Sequence, residues 1–176
     1  TFGGNLTSQV TIGSGGAGLG GAIFNFQGTV RALNCTFASN EALGGSGSIW
    51  DGGPQPVSGG APGGGIFNLN GHVVLRSTTL AGNTVNGATT ASSGAPSGSD
   101  IYSKAEHAAV PEALRGDALV ELHHCVLASS SGAASSLVND AASAATLVSS
   151  VIGAENIVVS TTGNVASGAG VSTTDP

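Results

Sequence analysis

The stretch Gly20 to Asn40, GGAIFNFQGTVRALNCTFASN, returns 43 positions later as Gly63 to Asn83, GGGIFNLNGHVVLRSTTLAGN, and the two align without a gap. Gly21 matches Gly64, Ile23 matches Ile66, Asn25 matches Asn68 and Gly28 matches Gly71; beyond these, Val30, Phe37 and Asn40 match Val73, Leu80 and Asn83. Self-similarity at a fixed period marks a repeat architecture, in which each copy buries its apolar face against its neighbours. A third copy is more diverged. Ser99-Asp100-Ile101-Tyr102-Ser103 stands where the Gly-Gly-Ile-Phe-Asn element belongs, and Val120 to Ser130 (VELHHCVLASS) follows the pattern of Val30 to Asn40.

Copy one offers strands over Ala22 to Phe26 and Thr29 to Leu33, separated by Gln27-Gly28, a turn in which Gly28 is expected to take positive φ. A period of two puts Val30, Ala32 and Asn34 on one face, and in copy two puts Val73, Leu75 and Ser77 inside with Val74 and Arg76 outside. Three short strands per copy, each ended by Gly or Asn, satisfy their backbone groups by coiling one way so that equivalent strands stack in parallel. The expected fold is therefore all-β, a parallel β-helix of about five to six rungs with loop insertions. Ile23 then lies on Ile66 and Val30 on Val73, while Asn25 over Asn68 and Asn40 over Asn83 form amide ladders at the corners. Plain turn formation accounts for Asn40 and Asn83 nearly as well.

Upstream, Ser8 to Ile12 reads as the tail of an earlier rung; downstream, Leu119 to Leu127, Ala145 to Val151 and Glu155 to Ser160 are strand candidates. The insertions Ala42 to Pro62 and Asn86 to Ser97 both leave after the closing Asn of a copy, so they should emerge side by side from one edge. Lys104 to Asp117 leaves at another corner and favours a helical turn or two, with Pro111 at its start.

Only 8% of the residues are charged while 40% are apolar, a balance opposite to that of disordered chains. Four basic residues and a net charge of -6 leave no footprint for nucleic acid. No apolar run reaches the ~18 to 20 residues of a membrane span, and Thr1 opens directly in Gly/Thr/Ser-rich sequence instead of a signal peptide. The chain reads as a single domain over 1–176, a fragment or a repeating subunit of a longer solenoid. Cys35 and Cys125 occupy one register of copies one and three, with Thr78 between them. At ~4.8 Å per rung they stand about 9.6 Å apart, beyond the ~7 Å that a disulfide spans. Both are expected to be free, largely buried thiols.

The GG(A/G)I tetrapeptides Gly20 to Ile23 and Gly63 to Ile66, with the closing Phe37 to Asn40 and Leu80 to Asn83, resemble the repeats of polymorphic outer-membrane proteins. They resemble equally the bacterial secreted proteins of the right-handed parallel β-helix repeat and choice-of-anchor type. The second copy departs at Leu80, and the third keeps only Ile101-Tyr102 and Leu127 to Ser130. The resemblance covers about residues 20 to 130. It implies a right-handed helix, an extracellular or cell-surface location and a scaffold or adhesive role, and it carries over no catalytic residue. In such families the helix usually runs on beyond a point like Asp175-Pro176, which again suggests a fragment.

Glycoside hydrolysis needs two carboxyl groups ~5 to 9.5 Å apart, and Glu41, Asp100, Asp117, Glu121 and Glu155 are expected on different corners. Glu121 and His123 alternate to one outward face, a two-ligand pattern that is better read as a solvated strand than as a metal site; His72 and His107 read as plain surface residues. Trp50, beside Asp51 in the first insertion, is a candidate contact for a glycan or partner, or else folds back to cover a rung. Of two glycosylation sequons, Asn5-Leu6-Thr7 and Asn34-Cys35-Thr36, only Asn5 is expected to be accessible, because Asn34 should point inward. No regular Thr row of an ice-binding kind continues through the copies. No catalytic residue, metal ligand or cofactor is assigned. The expected function is that of a non-enzymatic structural or adhesive protein at or outside the cell surface, joined end to end through uncapped strand edges. Its partners would be further copies, a glycan or a surface component, and the competing reading is a polysaccharide lyase or glycosidase.

Overall fold

The computed structural model describes residues 15–47, 59–86, 98–106, 116–128, 136–139, 143–148, 150–152, 157–159 and 164–167. All regular structure among these residues is β-strand. A first pass supplies β1 (Ile23–Phe26), β2 (Thr29–Leu33), β3 (Thr36–Ala38) and β4 (Glu41–Leu43). A second supplies β5 (Ile66–Leu69), β6 (His72–Arg76), β7 (Thr79–Ala81) and β8 (Thr84–Asn86). Then follow β9 (Ile101–Lys104), β10 (Ala118–His123) and β11 (Val126–Ala128); β12 (Leu137–Asn139), β13 (Ser143–Val148) and β14 (Val151–Ile152); and finally β15 (Ile157–Val159) and β16 (Asn164–Ser167).

The strands build four parallel sheets, and successive passes of the chain contribute to them in the same order, five passes to the first two sheets, four to the third and two to the fourth. The first is β1-β5-β9-β12-β15, the second β2-β6-β10-β13-β16, the third β3-β7-β11-β14, and a short fourth joins β4 to β8. Like residues pair with like: Ile66 with Ile23 and Ile101, Val73 with Val30 and Val120, Leu80 with Phe37 and Leu127. This stacking of parallel sheets is compatible with a parallel β-solenoid. No helix among the described residues is long and apolar enough to cross a membrane.

The core runs up the inner faces as columns. Ile66, Ile101 and Leu137 form one, Leu75, Leu122 and Leu147 a second, and Leu80 with Leu127 a third, each residue at most 1% exposed. Burying such a side chain contributes ~1.5 to 3 kcal/mol, so the columns are the main apolar support of a chain with few aromatics. A polar column lies beside them. Asn25 Nδ2 donates to Asn68 Oδ1 at 2.8 Å, and Asn68 Nδ2 donates to Ser103 Oγ at 3.1 Å. Each amide also reaches the glycine carbonyl three residues on, Asn25 to Gly28 at 3.0 Å and Asn68 to Gly71 at 2.9 Å. At the next corner Asn83 Oδ1 accepts from Asn40 N and Nδ2 at 3.0 and 2.9 Å, and Asn83 Nδ2 donates to the buried Asp100 carboxylate at 2.7 Å.

The glycine motifs have two separate causes. Gly63 has φ +73, and a Cβ there would lie 2.5 Å from the Ile66 carbonyl oxygen, so the left-handed entry to β5 admits only glycine. At Gly71 a Cβ would fall 2.4 Å from Asn25 Nδ2 and 2.8 Å from Asn68 Oδ1. The glycine at that place clears room for the amide ladder. Positive φ belongs instead to the residue before it, Gln27 at 56° and Asn70 at 51°, which corrects the assignment to Gly28.

Each tight corner within the first two passes contains one such left-handed residue, as does the corner between β10 and β11. After the second-sheet strands they are Asn34, Ser77 and His124, with φ of 53°, 48° and 54°; after the third-sheet strands they are Ser39 and Gly82, at 56° and 62°. This turn breaks the alternation. Asn34 and Ser77 are exposed, not inward as the period of two implied, and the argument against Asn34 as an accessible sequon residue fails with it. The next residue turns inward: Thr78 and Cys125 are each 1% exposed. Both cysteines are free, Cys125 buried and Cys35 only partly so.

The two long insertions do leave together, since Glu41, Ala42 and Leu43 pair in parallel with Thr84, Val85 and Asn86. That fourth sheet was not visible in the pattern, nor were β12 and β16, whose sequences Leu-Val-Asn and Asn-Val-Ala-Ser are short and share no motif with the copies. Ser8 to Ile12, Trp50, Asp51, Asn5, His107, Pro111 and Glu155 lie outside the described residues.

Candidate functional site

The most chemically varied surface among the described residues is the outer face of the second sheet. Alternation sends Val30, Ala32, Val73, Leu75, Val120 and Leu122 inward, and the residues between them outward. Parallel pairing then writes three outer columns. Thr29, His72 and Leu119 form the first; Arg31, Val74, Glu121 and Thr146 the second; Leu33, Arg76, His123 and Val148 the third. These columns bring together side chains from four separate passes of the chain.

Glu121 is the centre of the group. His72 Nε2 lies 2.9 Å from Glu121 Oε1, while His123 Nε2 lies 3.6 Å from Oε2, so the two imidazoles take opposite oxygens of one carboxylate. Partial burial pushes the Glu121 carboxyl up, but the hydrogen bond with His72 and the closeness of the His123 imidazole outweigh it, and the net displacement is downward. Beside the carboxylate runs a groove of about 250 Å³ lined by Arg31, Leu33, His72, Val74, Arg76 and Glu121. Val74 is an outward residue only 8% exposed, and its apolar surface forms the floor. The guanidiniums of Arg31 and Arg76 carry no ion pair among the described residues.

His72 is therefore not a plain surface residue. It stands one strand from Glu121 and two positions back, a relation that becomes visible only when the copies are written as outer columns. Arg31 and Arg76 were passed over for the same reason, although both lie in the matched strands. The other acids stay apart. Glu41 accepts from Asn86 Nδ2 on the fourth sheet, Asp100 is buried against Asn83, and Asp117 precedes Glu121 by four residues. At ~3.3 Å per residue that is about 13 Å of extended chain, past the ~9.5 Å limit for a glycosidase pair. Among the described residues, no three His, Cys, Asp or Glu side chains are grouped to hold a metal ion.

A second outer surface, on the first sheet, is aromatic. Phe24, Phe67 and Tyr102 stack at centroid separations of 5.6 and 5.5 Å, and Phe26 continues the row beside Phe24 at 6.5 Å. Phe67 and Tyr102 are buried while Phe24 and Phe26 remain 49% and 45% exposed. Comparison of the chain with protein-family models, with curated proteins and with solved structures returns no match. What the coordinates define is an all-β protein of stacked parallel sheets with a charged groove on one outer face.

Proposed function

We propose that the chain is a right-handed parallel β-helix of five to six rungs, acting outside the cell or at its surface as a structural or adhesive scaffold that joins end to end. The observation that carries this reading is the strict register of four sheets whose interior is given over to Ile, Leu, Val and Asn columns. Such an interior is a device for stacking and takes no part in chemistry. Among the described residues β1, β2 and β3 pair on one side only, and a one-sided parallel strand is a template for another. The adhesive part draws on the resemblance of the GG(A/G)I repeats to surface β-helix proteins and on the polar groove of the second sheet.

Size-exclusion chromatography and electron microscopy of the purified chain test the assembly. Filaments, or oligomers that lengthen with concentration, are expected; a monomer that persists at high concentration overturns it. A second reading, a polysaccharide lyase, has one observation in its favour: the His72–Glu121 pair sits beside two guanidiniums in an open groove. Appearance of unsaturated ends on uronate-rich glycans would select that reading over the scaffold.

A further inference from the structure

We infer that the groove on the outer face of the second sheet binds a sugar bearing an oxyanion, a carboxylate or a sulfate ester, cradled between Arg31 and Arg76. The chain has four Lys and Arg against ten Asp and Glu, and two of those four basic residues line this one groove. In so acidic a chain, a guanidinium has many carboxylates to pair with, yet neither is ion-paired among the described residues.

The register explains how the two work together. Arg31 pairs with Val74, and Arg76 follows Val74 by two residues. With strands ~4.8 Å apart and a rise of ~3.3 Å per residue, their Cα atoms are ~8 Å apart, within reach of a single oxyanion from both sides. Glu121 occupies the far side of the groove, fixed by His72 and His123, and its carboxylate accepts hydrogen bonds that a hydroxyl would donate. The Val74 floor and the Leu33 rim, the latter 64% exposed, offer an apolar surface to the C–H face of a ring. One anion, neighbouring hydroxyls and an apolar face together describe an acidic sugar. A nucleic acid is a poor fit, since its successive phosphates would be carried onto Glu121 and along a chain of net charge -6. The oxyanion follows from the groove itself; the choice of a sugar to carry it rests on the extracellular reading proposed above.

Isothermal titration of the whole chain at low ionic strength provides the test, with a uronate oligomer, a sulfated oligosaccharide, a neutral oligosaccharide of equal length, and sodium sulfate alone. At least one acidic oligomer should bind, more weakly as salt is added, and the pattern across the two shows whether carboxylate or sulfate is preferred. R31Q/R76Q should lower the affinity at least tenfold. Lys104→Gln, which lies on the first sheet, should leave it unchanged. Arg31 and Arg76 are both exposed, so the double variant is expected to fold; Leu33→Glu, which puts a negative charge on the rim, provides an independent loss should it not. Absence of binding by both acidic oligomers, equal binding of the neutral one, binding that survives these substitutions, or binding of free sulfate alone each overturns the inference. A chain that binds the acidic sugar yet never assembles would defeat the filament and leave the groove's role standing.

Discussion

Cys35, Thr78, Cys125 and Ser150 occupy one place in successive passes, the residue just before a third-sheet strand, and the first three directly follow a left-handed residue. Each donates to the carbonyl two residues earlier: Cys35 Sγ to Leu33 at 3.3 Å, Thr78 Oγ1 to Arg76 at 3.0 Å, Cys125 Sγ to His123 at 3.4 Å and Ser150 Oγ to Val148 at 3.0 Å. The place therefore requires a small side chain with a donor, which is why thiol and hydroxyl replace each other there. Burial pushes the Cys125 thiol up from its ordinary 9.0, against smaller opposing contributions from backbone hydrogen bonds at Thr78 and His123. A thiol whose folded pKa is raised leaves stability unaffected below the unfolded value and reduces it as pH rises through and beyond about 9.0. Cys125→Ser keeps the donor and removes that titration. Its stability should lie within about 1 kcal/mol of wild type at pH 7 and fall less between pH 8.5 and 10.5, as thermal unfolding across that range would register. Iodoacetamide should modify Cys35 in the native chain and Cys125 only on unfolding; equal native rates would contradict the assigned burial.

At the scale of the strand and its turn, the corners are the strained parts. An L-residue held in the left-handed region costs ~1 to 2 kcal/mol, and glycine gives back ~0.5 to 1 kcal/mol of that through the entropy of its unfolded chain. Copy one holds Ser39 at φ 56 where copy two holds Gly82 at φ 62. A Cβ at Gly82 would come no closer than 3.7 Å to Ser39 Oγ, so space does not distinguish the two corners. Ser39→Gly is expected to stabilise by up to about 1 kcal/mol and Gly82→Ser to destabilise by a similar amount. Melting temperatures shifted by a few degrees in opposite directions would support this; a loss in both variants would show that the serine hydroxyl, and not the backbone, sets the corner.

For the molecule as a whole, stability in a stack comes from neighbours. β6 and β10 lie between two partners, whereas among the described residues β1, β2 and β3 have one each. Amide hydrogen exchange on a dilute sample should therefore be slowest in β6 and β10 and should quicken toward β1 to β3. If copies join through those strands, exchange in β1 to β3 should slow in the concentrated sample while β6 stays as it was. Unchanged exchange in β1 to β3 at every concentration would place any assembly elsewhere.

The repeat itself carried the parallel stacking into view, because identical apolar and Asn positions 43 residues apart can be buried together only if one lies above the other. Ile23 on Ile66 and Asn25 on Asn68 needed nothing more than alignment. Three things were hidden in one dimension. The left-handed corner after Leu33 and Arg76 resets the alternation, so Asn34 and Ser77 left the face that their parity gave them. The strands β12 and β16 are held by register with their neighbours, not by any motif of their own. The groove joins Arg31, His72, Arg76 and Glu121 from three passes of the chain, and lateral proximity between strands is a property of pairing that no local pattern encodes.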